Sequence, residues 1–341
     1  PNFATFVCPA LIAGGTTGYF SASTVASLRH ASVASYMKKI TIPTLLLQGQ
    51  GDTLFNLNEA AATYEALQKQ GTEVKMVWHS WGHSVSSPQP GEFDSGNPDP
   101  AHQWETRRVV NWFYHYLKGH TSTSTGAPFS WFRDWVTYSG DAAPAFGHSN
   151  HFPVGKERSL YLSGSALTTD ADAIQSGSQQ YVTPPAGAPT RIDKLDALGG
   201  YLNLPLPEQD APGTSVSWTS PALTDAWDVV GSPKLTLKVT APLAVGGTPA
   251  TDLVTFARIE DVAPDGTATQ IHDLTAPIRV PHAKQAFTVT MPAFVHQFAA
   301  GHKIRLVLSG SSLNYRGGLV PSPVTVTTGS NTQVLQLPVT N

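Results

Sequence analysis

Cysteine is all but missing: Cys8 is the single one in 341 residues. That excludes an intramolecular disulfide framework and any Cys-rich zinc site. Charge is scarce as well. Asp, Glu, Lys and Arg make up 13% of the chain, against about 25% in an average soluble domain. The net charge is −3 and no basic tract occurs, which argues against nucleic acid and anionic membrane surfaces as partners. No apolar run approaches the roughly 18 residues of a membrane-spanning helix. The chain starts at Pro1 with neither an initiator methionine nor a signal-peptide pattern, which sets the expectation that a segment precedes it. What is abundant is punctuation, with 29 glycines and 27 prolines. Turns and short strands are expected, not long salt-bridged helices. The length suits two domains of roughly 150 residues each.

The pattern changes near residue 150. Ile42 to Gly49 is a short apolar run with a proline near its start and a glycine at its end, the look of a buried parallel strand. Asn56 to Gln70 reads as a helix: Asn56 and Glu59 make a capping-box-like start, Ala60, Tyr64 and Leu67 recur at helical spacing, and Gly71 stops it. Val74 to Trp78 is a second strand. Pro100 to Leu117 is a second helix, with Val109, Trp112, Phe113, Tyr116 and Leu117 on one face. Ser21 to Lys39 reads as one or two short helices. This alternation implies βαβ units and a parallel sheet. Beyond residue 150 every readable segment is a strand: Ser159 to Leu162, Lys234 to Val239, Asp252 to Ile259, Ala286 to Met291, Lys303 to Leu308 and Gln333 to Leu337. Lys234, Thr236 and Lys238 alternate with Leu235, Leu237 and Val239, so one face is wet and the other buried, as in an antiparallel sandwich. The linker is expected between Gly140 and Gly155.

Gly49-Gln50-Gly51-Asp52 puts an acidic residue just past the carboxyl end of a parallel strand, where open α/β sheets place their active sites. Trp78-His79-Ser80-Trp81-Gly82-His83-Ser84 follows the next strand, so His83 falls at the same edge. Such a pair can act as orienter and base. The carboxylate fixes the imidazole tautomer and stabilises the imidazolium formed when a nucleophile is deprotonated. Acid before histidine is the chain order of α/β-hydrolases. The plainer readings stand beside this: Asp52 as a helix cap or turn former, and His83 as one of 12 histidines. His79 competes for the role of base, but its place beside Trp81 reads as packing or lining. The nucleophile should precede Asp52 in a Gly-x-Ser-x-Gly elbow. None exists. Gly18-Tyr19-Phe20-Ser21 is off by one; Gly82-His83-Ser84, Gly147-His148-Ser149 and Gly213-Thr214-Ser215 lack the second glycine and come too late. Cys8, followed by Pro9, reads as a buried or adventitious thiol.

Other constellations are thin. His102, Glu105, His115 and His120 form no two-His-plus-carboxylate set, so no metal is expected, and no cofactor. Asp170/Asp172 and Asp193/Asp196 lack the spacing of a dedicated calcium loop. Trp131-Phe132-Arg133-Asp134-Trp135 reads as packing at the domain junction, with a ligand platform as the alternative. Trp218 and Trp227 read as core residues.

Ile42-Pro43-Thr44-Leu45-Leu46-Leu47-Gln48-Gly49-Gln50-Gly51-Asp52-Thr53-Leu54-Phe55 resembles the acid-strand motif of the X-prolyl dipeptidyl-peptidase / cocaine-esterase-like (CocE/NonD) serine hydrolases, and Trp81-Gly82-His83-Ser84 is similar to their histidine loop. The similarity continues through Asn111 to Gly119, Trp227 to Leu237 and Phe298 to Leu306, and so spans nearly the whole chain. The resemblance implies an α/β-hydrolase, here the C-terminal part of a mostly parallel sheet, followed by an all-β jelly-roll sandwich. By it, residues 1–40 are the end of a helical cap region and its return to the sheet. Residues 41–150 are the C-terminal part of the α/β-hydrolase domain, and 151–341 the jelly roll. Asp52 is then the triad acid and His83 the triad base. The nucleophilic Ser, its elbow and an oxyanion-hole tyrosine fall in an upstream segment or chain. Half a parallel sheet exposes apolar strand edges, so poor folding in isolation is expected. The implied activity is that of an acyl esterase or Xaa-Pro dipeptidyl-peptidase on a small ester or peptide. The competing reading is a non-catalytic carbohydrate- or surface-binding protein built on the jelly roll. Few lysines and many Ser, Thr and Gly residues point to a secreted bacterial protein, with the cytoplasm as the alternative; homo-oligomerisation is left open.

Overall fold

The computed structural model describes residues 3–84, 87–191, 209–244, 251–281 and 283–341. The Asp193/Asp196 pair lies outside them. Two helices open the chain, α1 (Val7–Thr17) and α2 (Ala22–Ala31). No periodicity in the sequence announces α1. Pro9 sits in its first turn, where a missing N–H costs nothing. Ser21 caps α2 by accepting from the Thr24 backbone N–H at 3.1 Å. Cys8 is exposed on α1, not buried.

The α/β part follows as β1 (Thr44–Gly49), α3 (Leu57–Lys69), β2 (Val74–His79), α4 (Trp104–Leu117), β3 (Phe129–Phe132) and β4 (Phe146–Ser149). The strands pair in the order β1-β2-β3-β4. The first three are parallel and β4 is antiparallel. β3 and β4 were not expected as strands, and β4 lies inside the stretch read as linker. All four side chains of β3 are buried, so no alternation announces it. Its Trp131 packs in one cluster with Val230, Ala293 and Val295 from later in the chain, which makes the aromatic run junction packing.

Two sequence expectations need correcting. β1 is not a fully buried strand: Leu45 and Leu46 are half-buried and Leu47 is exposed. It forms one edge of the sheet among the described residues, so its open side lacks a covering neighbour there. In α4 the buried face is Trp104, Glu105, Arg108 and Trp112, while Phe113 and Leu117 are exposed. Charged groups can occupy that inner face because they find partners: Glu105 meets His79 at 3.0 Å, and Arg108 donates to the Thr125 and Ala127 carbonyls. Burial lowers the Arg108 pKa to about 10.

From Lys156 onward the described strands build a C-terminal β domain, antiparallel except for a single contact of Ala166 with Thr219. The expected alternation appears in Lys234–Thr240, with Leu235, Leu237 and Val239 inside. Val254–Val262 pairs with Lys303–Ser309, and Lys156–Ser163 with Val334–Val339. The sheet folds over on itself. Tyr181 and Thr255, from strands near opposite ends of the pairing path, share a 2.5 Å hydrogen bond through the interior. Leu160, Leu237, Ile259, Leu306, Val326 and Leu335 meet in the core between them, together with Trp218 and Trp227. A second core joins the two parts: Leu57, Tyr64, Leu67, Met76, Trp78 and Phe129 pack against Val230 and Val295. Each such buried side chain contributes roughly 1.5–3 kcal/mol of transfer free energy.

Candidate active site

Asp52 and His83 lie on loops that leave the carboxyl ends of β1 and β2. These strands are in register, with Gly49 opposite His79, and Gln50 N–H donates to His79 O at 2.9 Å. The loops then close on each other. Ser84 N–H donates to Gly51 O at 3.0 Å, and Thr53 N–H donates to Ser84 Oγ at 3.0 Å. A methyl group on Gly82 would stand 3.0 Å from the Asp52 Cβ. Ser84, which follows His83, therefore holds the residues on both sides of Asp52, while Gly82, which precedes it, lies against Asp52 itself. Gly49 makes this approach feasible, since a Cβ there would lie 1.9 Å from the Trp81 carbonyl oxygen.

The Asp52 carboxylate is buried, 8% exposed. Its Oδ1 accepts from the backbone N–H groups of Phe55 at 2.7 Å and Leu54 at 3.1 Å, and its Oδ2 from Gln48 Nε2 at 3.3 Å. The turn-forming role anticipated for Asp52 is thus real, and it orients the carboxylate as well. His83 is exposed. The loop is backed by Gln50, whose Nε2 donates to Phe132 O at 2.8 Å and Trp78 O at 3.3 Å, tying the ends of three strands together.

His79 is placed differently. It is buried, donates to Glu105 Oε2 at 3.0 Å and stacks on Trp81 with ring centres 4.5 Å apart. Trp81 Nε1 donates to the same Glu105 oxygen at 3.3 Å, and its ring also stacks on Phe93. Below them the fully buried Glu92 accepts from the backbone N–H groups of Ser80 at 3.0 Å and Gln89 at 2.9 Å and from the Ser80 hydroxyl. Burial pushes the Glu92 carboxyl above its usual range, although these hydrogen bonds pull the other way. Nothing in the sequence marks Glu92 or the role of Gln50, and it offers Glu105 only as a rejected metal ligand beside His102, not as the partner of His79 and Trp81. Glu105 in a first helical turn reads as a dipole partner, and Glu92 lies on a loop without periodicity.

Beside the acid loop is a cavity of about 90 Å³, lined by Thr53, Leu54 and Asn56 and, from the β domain, by Asp273, Leu274 and Tyr315. Among the described residues no group of three His, Cys, Asp or Glu side chains is placed to hold a metal ion. His102 pairs with Asp99 instead. Nor is any described helix long and apolar enough to cross a membrane.

Residues 139–337 match the model of the X-Pro dipeptidyl-peptidase C-terminal non-catalytic domain, and residues 21–85 that of X-Pro dipeptidyl-peptidase (S15 family). Among curated proteins none matches. The fold is similar to an aminopeptidase from a marine sediment archaeon (Thaumarchaeota), with 15% identity, a TM-score of 0.66, and coverage of 100% of this chain and 65% of that one. It is also similar to an α-amino acid ester hydrolase, at 17% identity and TM-score 0.64 over 89% of this chain and 57% of the other. A CocE/NonD family hydrolase from Staphylococcus aureus gives 16% identity and TM-score 0.58 over 89% and 55%. The chain thus spans less than two thirds of the length of each of these structures.

Proposed function

The chain belongs to the X-Pro dipeptidyl-peptidase family of serine hydrolases, with CocE/NonD hydrolases among its structural neighbours, and on that premise we propose that Asp52 and His83 are the acid and base of its catalytic triad. The observation that carries this is the mutual grip of the loops 49–53 and 81–84 at the ends of two adjacent parallel strands. His83 takes the proton from the attacking serine hydroxyl and returns it to the departing alcohol or amine. It then deprotonates the water that releases the acyl group. Asp52, with its carboxylate fixed by three donors, orients the imidazole and balances its transient positive charge.

The nucleophile lies outside these 341 residues, since no Gly-x-Ser-x-Gly occurs among them. The half-covered edge of β1 is where the strand carrying it would pair. The β domain, which we read as a jelly roll, walls one side of the pocket through Asp273, Leu274 and Tyr315. The test is made on the complete protein. Asp52→Asn and His83→Ala are each expected to lower kcat by roughly a thousandfold or more while the fold is retained. Full activity in either variant would refute the assignment. Comparing an Xaa-Pro amide with a simple acyl ester separates peptidase from esterase.

A further inference from the structure

The turn between α1 and α2 is held by two arginines of the β domain. α1 ends with Gly18 in the left-handed region at φ 78°, its N–H closing on Gly14 O at 2.9 Å. The remaining last-turn carbonyls have no helical donor and sit at the negative end of the helix dipole. Arg316 answers two of them, donating from Nε to Gly15 O at 2.9 Å and from Nη2 to Thr16 O at 3.1 Å. Arg279 Nη2 donates to Gly18 O at 2.8 Å. Its guanidinium also lies 4.1 Å from the Tyr19 ring centre and 3.3 Å from Asp252 Oδ2, the carboxylate that accepts the Tyr19 hydroxyl. Gly18 is favoured by its positive φ, and a Cβ there would lie 2.6 Å from Arg316 Nη1 and push the guanidinium aside. Among the described residues the two helices bury little of their own surface. Ala10 is the buried residue of α1 and Thr24 that of α2, while Leu11 and Ile12 are exposed.

Arg316 has a second connection. The two residues before it, Asn314 and Tyr315, line the cavity that Thr53 and Leu54 share with the β domain. One short loop therefore meets both the α1–α2 turn and the Asp52 side of the site.

We propose that Arg316, backed by Arg279, is a positioning residue that fixes the α1–α2 turn against the β-domain loop lining the cavity beside Thr53 and Leu54, and so sets how tightly substrate is held. The kinetic half of this rests on the hydrolase reading above; the structural half does not. A planar guanidinium spans two carbonyls where a lysine ammonium is a point charge, so Arg316→Lys should restore only part of what Arg316→Ala removes.

Hydrogen exchange and steady-state kinetics on the complete protein test both halves. Arg316→Ala is expected to speed exchange in α1 and α2 by about tenfold or more while β1 and β2 keep their protection. It should raise KM roughly three- to tenfold with kcat within about twofold. Unchanged protection of α1 and α2 in the Arg316→Ala/Arg279→Ala double variant overturns the clamp. Faster exchange with an unchanged KM overturns its role in holding substrate. If the unaltered complete protein hydrolyses neither esters nor Xaa-Pro amides, the hydrolase reading falls, and the exchange measurement still decides the clamp.

Discussion

Gly49 faces the Trp81 carbonyl so closely that a Cβ at residue 49 would stand 1.9 Å from that oxygen. One residue ends the strand that leads to the acid, and the other belongs to the loop that carries the histidine. The loops can lie side by side only because the first has no side chain at this point.

Gly49→Ala should therefore part the loops. The obstacle is backbone, which cannot rotate away, so a loss of about 1–3 kcal/mol is expected, at the usual scale of overpacking. Thermal unfolding measures it. In the complete enzyme kcat should fall along with stability, since the Ser84–Gly51 and Thr53–Ser84 hydrogen bonds depend on the same approach.

His79 and His83 are separable by substitution. Replacing His79 with Asn leaves the Glu105 carboxylate buried without its imidazole, at a cost of about 1–3 kcal/mol, and should lower Tm. Its effect on kcat should stay within about tenfold, far from the loss expected for His83→Ala. Parallel melts and initial rates on the two variants decide this.

Glu92 makes stability depend on pH. Its folded carboxyl titrates above the ordinary value of 4.5, so the fold favours the protonated form. That contribution is complete below pH 4.5 and is lost as pH rises through the elevated folded value. Glu92→Gln removes the titration. The Tm of the variant minus that of the parent should therefore climb with pH across this window, and a flat difference would show that Glu92 does not titrate there.

Trp78 is fully buried, and among the described residues its indole Nε1 has no hydrogen-bond partner. Its ring meets Phe129 and Phe152 edge to face. Trp78→Ala should cost about 3–5 kcal/mol. Trp78→Phe should cost much less, because it keeps an aromatic ring while removing an unsatisfied N–H. Denaturant melts of the pair give the comparison.

Where periodicity and punctuation coincide, the sequence was easy to read. β1, α3 and β2 are bounded by Pro43, Asn56 and Gly71 and lie where expected, which is why the loops carrying Asp52 and His83 fall at one sheet edge as the sequence suggests. β3 was not, because Phe129-Ser130-Trp131-Phe132 is buried on both faces and short. The apolar stripe of α4 misled. Its buried face is chosen by Glu105 and Arg108, whose partners lie on β2 and on the loop before β3. Glu92 and Gln50 act through tertiary contacts that leave no local pattern. α1 carries exposed Leu11 and Ile12, and its end is held by arginines near the far end of the chain.

Asn58 stands in the first turn of α3, just beyond the Asp52 loop, and its side-chain amide is spent wholly on the β domain. Its Nδ2 donates to Met291 O at 3.1 Å, and its Oδ1 accepts from Ala293 N–H at 2.9 Å and from the Ser232 hydroxyl at 2.8 Å. Two of those three groups are main chain, so what Asn58 recognises is a backbone path more than a set of side chains. A β domain grafted in from a distant relative would be accepted or refused here according to the course of its chain past residues 291–293. The two halves of this molecule are thus not interchangeable parts: whichever lineage alters one must carry the matching contour in the other.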